Sequence, residues 1–278
     1  MKTRIISGVL GILVLLPVLY FSGTIVLPIA LALLSAVASV ELLSAIGMRQ
    51  RWQFLVPTLC FSLLLPFIPY FCKGDTGRAI VLLALVSVFY ILLCFVCAVF
   101  SNGRVRFSLV AQAVLGTLYA TLGLTAVSVL RAGAMGAYIY GLVFVGAWVT
   151  DTMAYFTGVF FGKHKLCPAI SPKKTVEGSL GGIVFCILGF LLYGWIMHKT
   201  FDVLPNYLML ATAGALASVV SQIGDLTASL IKREHGVKDF GKLMPGHGGV
   251  LDRFDSILAV ALLLVLFVAL PTSLAFFR

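Results

Sequence analysis

Apolar positions in this chain follow neither the two-residue alternation of a half-buried strand nor the narrow stripe of a surface helix. They come in stretches of about 20 residues that are apolar on every side. Nine such stretches fall near residues 5 to 21, 24 to 46, 53 to 71, 79 to 100, 107 to 128, 136 to 161, 179 to 198, 206 to 231 and 250 to 270. A helix rises about 1.5 Å per residue, so each can cross a hydrocarbon core roughly 30 Å thick. The pattern predicts an all-α, polytopic integral membrane protein with about nine transmembrane helices. Pro57, Pro66 and Pro69 make the third span the least regular. Repeats, linkers and low-complexity segments are lacking, so residues 1–278 read as a single membrane domain. Within it, residues 1–132 are the expected scaffold of N-terminal helices, and residues 133–278 carry the chemistry.

Composition agrees. The chain is 61% hydrophobic and 11% charged, with a mean hydropathy of +1.10, more apolar surface than a soluble core of this size can hide. Charge sets the expected orientation, because cationic flanks stay on the cytoplasmic side. With nine spans, the N-terminus and the even-numbered loops share one side. That side holds fourteen of the 20 cations, among them Arg49, Arg51, Arg104, Arg106, Lys163, Lys165, Lys232 and Lys242. Lys73, Arg78, Arg131, Lys199 and Arg278 fall on the other side and Arg253 in the last span, so the N-terminus is expected in the cytoplasm. The net charge of +10 then reads as topology plus attraction to anionic lipid or substrate, with no nucleic-acid partner. The first span resembles a signal peptide, but Tyr20 and Phe21 stand where a small-residue cleavage site would be needed, so it is expected to be retained. Six cysteines lie mostly in or beside apolar spans, where a thiol acts as a small hydrophobe.

A charge in hydrocarbon costs at least about 2.5 kcal/mol, so acids within spans are functional candidates. Glu41, Asp151, Asp225, Asp252 and Asp255 qualify. In the eighth span Ser218, Ser221, Asp225, Ser229 and Lys232 follow one another at intervals of three or four, a polar stripe on an otherwise apolar helix. Asp225 lies about 10 Å along that helix from its Lys232 end, buried yet reachable from the cytoplasm. Glu41 reads as a paired or snorkelling acid near the end of the second span.

The stretch from Lys232 to Asp255 is the densest in chemistry. Gly246, Gly248 and Gly249 free the backbone to approach a ligand and open the ninth helix, whose amides and dipole favour an anion such as phosphate. Asp252 and Asp255, three residues apart, share a helical face and repel unless a cation lies between them. With Asp225 they form a candidate metal site. Hard oxygen donors without a nearby cysteine point to Mg²⁺ or Mn²⁺ rather than zinc. His247 suits a ligand, a phosphate contact or a turn residue. A second basic cluster, Lys163 to Thr175, contains Ser171, Lys173 and Lys174, which suit phosphate oxygens, although topology alone also places lysines there.

The motif Ser229-x-Ile231-Lys232-Arg233, Lys238-Asp239, then Pro245-Gly246-His247-Gly248-Gly249-x-x-Asp252-Arg253-x-Asp255 resembles the signature of phosphatidate cytidylyltransferases, the CDP-diacylglycerol synthases. Supporting matches are Trp148-x-x-Asp151-x-x-Ala154-Tyr155, Ser171-Pro172-Lys173-Lys174-Thr175-x-Glu177-Gly178 and Gly224-Asp225-x-x-x-Ser229. Met244 and Lys242 depart from the commoner residues at their positions and touch none of the acids. The recognisable region runs from about Trp148 to Asp255; the first five spans match as hydropathy only.

The resemblance implies condensation of CTP with phosphatidic acid at a metal site of Asp225, Asp252 and Asp255, with Lys232 and Arg233 as further catalytic residues. Lys173, Lys174, Ser171, Ser229, Lys238, His247, Gly248, Gly249, Arg253 and Asp151 are the substrate-binding candidates. It also implies Mg²⁺ (or Mn²⁺), room for a second, monovalent cation such as K⁺, and a homodimer; the short chain without organelle-targeting features, together with the cationic bias, suggests a bacterial cytoplasmic membrane with the active site facing the cytoplasm. The principal rival, a secondary transporter of an anionic metabolite, would show internal repeats and carboxylates near the midplane. A silent scaffold would need neither three acids nor a glycine turn, and a CTP-using lipid-alcohol kinase would release CDP rather than pyrophosphate.

Overall fold

Sequences apolar on every side can satisfy their backbone in a membrane by helix formation, and long helices account for most of the described residues. The computed structural model describes residues 2–243, 246, 248–269 and 275–277. Its helices are α1 (Lys2–Tyr20), α2 (Val26–Ala45), α3 (Trp52–Leu64), α4 (Ile68–Phe71), α5 (Thr76–Val99), α6 (Phe107–Ala132), α7 (Gly136–Ile139), α8 (Gly141–Phe161), α9 (Val176–Phe201), α10 (Tyr207–Glu234) and α11 (Leu251–Val268). The third span is broken by a 3-10 turn, Leu65–Phe67, where Pro66 and Pro69 withdraw amide donors. Among the described residues, seven helical stretches are long and apolar enough to cross a membrane, which makes this an all-α polytopic membrane protein. The two further expected spans coincide with α1 and α11, and α11 carries Asp252, Arg253 and Asp255 in its opening turns.

A short antiparallel hairpin, β1 (Lys165–Cys167) and β2 (Ser171–Thr175), replaces the expected loop between α8 and α9. Thr175 then caps α9, its hydroxyl accepting the Gly178 amide at 3.1 Å. Glu177, in the first turn of α9, accepts the amides of Lys163 and His164 and meets His164 Nδ1 at 2.6 Å. The chain leaving α8 is thereby stitched to the start of α9.

The chain forms two compact units: Met1–Ala134 with Glu234–Phe254, and Met135–Arg233 with Asp255–Arg278. In the first, α6 approaches α2 closely at Gly116, where a Cβ would strike the Leu42 side chain. Its helices are joined by buried hydroxyl contacts, Ser39 to Ser62 at 2.8 Å, Ser62 to Thr121 at 3.1 Å and Thr58 to Tyr90 at 2.9 Å, with Tyr90 stacked on Phe61. Such polar pairs and small residues are what hold helices together where lipid is as apolar as leucine.

Residues 234–254 pack with the first unit. Gln112 Nε2 donates to Glu234 Oε1 at 2.9 Å. The buried Glu41 carboxylate accepts the amides of Val250 at 3.1 Å and Leu251 at 3.0 Å.

The second unit is built on close helix approach. Gly178 and Gly182 of α9 face Ala154 and Thr150 of α8, and a Cβ on Gly178 would lie 2.6 Å from the Ala154 carbonyl oxygen. At Gly181 a Cβ would collide with Thr157. Gly146 of α8 leaves room for Val260 of α11 and Ala217 of α10, and Gly214 lets α10 reach the backbone of α9 at Ile187.

Candidate functional site

The close α8–α9 crossing, the hairpin and α10 enclose a cavity of about 500 Å³ in the second unit. Helix α8 supplies Asp151 and, one turn on, Tyr155; the hairpin supplies Lys165, Lys173 and Lys174; α10 supplies Gln222 and Asp225. Neighbouring residues of a strand point to opposite faces, and along β2 Lys173 is exposed whereas Lys174 is half-buried. Lys174 Nζ meets Asp225 Oδ2 at 2.5 Å, an ion pair with side chains 25% and 30% exposed, so both heads still reach solvent. Of the expected site residues, Asp151, Lys173, Lys174 and Asp225 line this one cavity.

The polar stripe of α10 is real, and its burial is graded. Ser218 and Ser221 are fully buried, while Asp225, Ser229 and Lys232 are half-buried towards the end of the helix. Gln222, on the same stripe, donates to the Ser179 carbonyl at 3.3 Å and lines the cavity. Sequence reasoning passed over it, although it stands four residues after Ser218 and three before Asp225. In α11, Asp255 is 8% exposed and its Oδ1 accepts the Ser256 amide at 2.8 Å. Asp225, Asp151 and Lys232 lie close enough for their charges to act on it.

Other expected site residues have structural partners. Arg233 Nε donates to the Ile170 carbonyl at 3.4 Å, tying the end of α10 to the hairpin turn. Ser171 opens β2, paired with Cys167.

Asp252, Arg253, Lys238, Gly248 and Gly249 belong to the first unit. Asp252 Oδ2 accepts the amides of Phe240 at 2.8 Å and Gly249 at 3.0 Å, which ties up the loop ahead of α11. Gly248, at φ +89°, fits where a Cβ would lie 3.1 Å from Asp252 Oδ2, and a Cβ on Gly249 would collide with Glu41. The amides of Gly249, Val250 and Leu251, expected to face phosphate, donate instead to the carboxylates of Asp252 and Glu41. The physical reason is that a carboxylate inside the protein satisfies a helix N-terminus as well as a bound anion does. Lys238 and Arg253 are exposed. His247 lies outside the described residues, as do Met244 and Pro245.

Among the described residues no three Asp, Glu, His or Cys groups converge as a complete metal ligand set. Asp225 and Asp255 nevertheless suit a divalent ion: they are hard oxygen donors whose like charges act on each other. Mg²⁺ in particular is held by one or two carboxylates, with waters and substrate phosphates completing the shell.

Helices that cross a membrane around a cavity of lysines and carboxylates define a polytopic membrane protein whose site is suited to phosphates. The chain matches the Cytidylyltransferase family over residues 2–270 and belongs to it. It is 35% identical over 266 residues to the phosphatidate cytidylyltransferase of Staphylococcus haemolyticus, covering 95% of this chain and 97% of that protein. Proteins of the same name from Staphylococcus epidermidis and Staphylococcus aureus are likewise 35% identical, with the same shares covered. The chain is thus similar along nearly its whole length to nucleotidyltransferases, beyond the region that carries the motif.

Proposed function

We propose that this protein condenses CTP with phosphatidic acid to give CDP-diacylglycerol and pyrophosphate, in a bacterial cytoplasmic membrane, as a homodimer with its site open to the cytoplasm. Family membership and the names of the relatives support the reaction. The observation that carries the site is the Lys174–Asp225 pair in a cavity that also holds Lys165, Lys173 and Asp151. A lipid substrate accounts for a phosphate site in a membrane protein, since acyl chains stay in the bilayer while the head group meets water-borne nucleotide.

In this reaction an anionic phosphate oxygen of the lipid forms a bond to the α-phosphorus of CTP. The bond from that phosphorus to the oxygen bridging to the β-phosphate breaks, and pyrophosphate leaves. The nucleophile is already an anion, so positioning and charge neutralisation are the whole demand. Lys173 and Lys174 meet the triphosphate and take up charge as pyrophosphate forms. Lys174 exchanges its bond to Asp225 for one to phosphate, which releases the Asp225 carboxylate. Asp225 and Asp255 would hold Mg²⁺ or Mn²⁺, which when bound supplies charge neutralisation at the phosphate oxygens. Arg233 keeps the hairpin lysines in place through the Ile170 carbonyl.

The test is pyrophosphate release by the purified chain given CTP, Mg²⁺ and phosphatidic acid. Release that needs all three is expected. Release of CDP in place of pyrophosphate, or CTP turnover indifferent to phosphatidic acid, would overturn the reading.

A further inference from the structure

Within the first unit, a second cavity of about 480 Å³ opens at the helix ends opposite the loops of Arg49, Arg51, Arg104 and Arg106. It lies between the α1–α2 turn, the start of α2, the end of α4, the turn before α5 and the last two turns of α6. Its charged lining is cationic, Arg131 and Lys73, and no carboxylate is among its described lining residues. Leu27, Pro28, Tyr70 and Phe71 give it an apolar and aromatic wall.

The arginine is placed by its surroundings. Arg131 Nε donates to the buried Ser22 hydroxyl at 3.0 Å, and its guanidinium occupies the space that a side chain at position 23 would need, a Cβ on Gly23 lying 2.9 Å from Nη2. A lone arginine in the last turn of α6 would be accounted for by the helix dipole. Lys73 comes from a different segment and is exposed, so the cavity presents two cationic side chains beside an apolar wall, a combination that attracts an amphipathic anion. The guanidinium fork matches phosphate oxygens. The cavity sits at helix ends, the level at which head groups meet acyl chains and where tyrosine is favoured.

We propose that this cavity is a phospholipid site, with the phosphodiester held by Arg131 and Lys73 and an acyl chain lying along Tyr70, Phe71 and Leu27. It is separate from the phosphate-binding cavity of the second unit and does not rest on the reaction proposed for that cavity. A phospholipid is favoured over free phosphate because the wall opposite the cations is apolar.

Native mass spectrometry of the full chain in a phospholipid-free detergent, titrated with short-chain phosphatidylglycerol, tests it. The wild type is expected to retain one more lipid per chain than an Arg131→Gln/Lys73→Gln double variant, whose affinity at that site falls about tenfold or more. Lys73→Gln alone changes an exposed side chain and carries the test should Arg131→Gln fail to fold; it is expected to weaken the same lipid several-fold. Unchanged lipid retention in these variants overturns the proposal. So does displacement of the lipid by inorganic phosphate at equal concentration, which would mark a site for free anions.

Discussion

Lys174 Nζ and Asp225 Oδ2 lie 2.5 Å apart, joining the second strand of the hairpin to helix α10. Because both side chains remain partly in solvent, the pair contributes little to stability, under about 1 kcal/mol. Its place in the cavity that also holds Lys165, Lys173 and Asp151 gives it a different importance. Asp225→Asn and Lys174→Met should each melt close to the wild type while losing about 100-fold or more in turnover. Thermal unfolding beside pyrophosphate release decides this; a variant that turns over normally removes that residue from the site.

The cation requirement should run through Asp255. Chelation is expected to stop turnover, with Mg²⁺ or Mn²⁺ restoring it. Asp255→Asn should raise the Mg²⁺ concentration giving half-maximal rate by about tenfold, the loss of one charged ligand. An unshifted Mg²⁺ dependence in a folded, active variant would assign the ion elsewhere.

Glu41 should matter for stability before chemistry. Glu41→Ala leaves the Val250 and Leu251 amides without their acceptor inside the protein, at a cost of about 1–3 kcal/mol. Glu41→Gln keeps an acceptor oxygen and should recover part of that loss. If both variants melt like the wild type in detergent, the carboxylate is not what holds this loop.

The α8–α9 seam should be intolerant of added bulk. Gly181→Val would drive a side chain into Thr157, and Gly178→Leu into the Ala154 carbonyl. Overpacking of this kind costs about 1–3 kcal/mol or more. Loss of folded protein in fluorescence-detected size-exclusion profiles is the expected readout. Wild-type yields from both variants would mean that the two helices can part without harm.

Much of this architecture is legible in the sequence because in a membrane the signal is simple: the apolar stretch read at 79 to 100 is α5, Thr76–Val99, and Pro66 and Pro69 foretell the break in the third span, while Pro57 stays inside α3. The Ser218–Asp225 stripe marks the polar face of α10 for the same reason, a period of 3.6 on an apolar ground. The hairpin was hidden because its strands, three and five residues long, carry lysines and Pro172 and show no apolar alternation. Asp252 reads as a partner for Asp255 from their spacing, yet its oxygen is engaged by main-chain amides. Amides carry no side-chain signature, so neither that bond nor the Glu41 contacts could be found from residue types. The latter also join positions 209 and 210 residues apart.

That separation bears on how the chain is made. Glu41 enters the membrane in the second span, but the two amides that receive its charge belong to residues synthesised more than 200 positions later. Until they arrive, the nascent chain carries a carboxylate in an apolar helix without these partners, and protonation or water must hold it. The N-terminal unit is therefore completed by one of the later segments to leave the ribosome, and early release of the chain leaves its oldest helices short of their final lock.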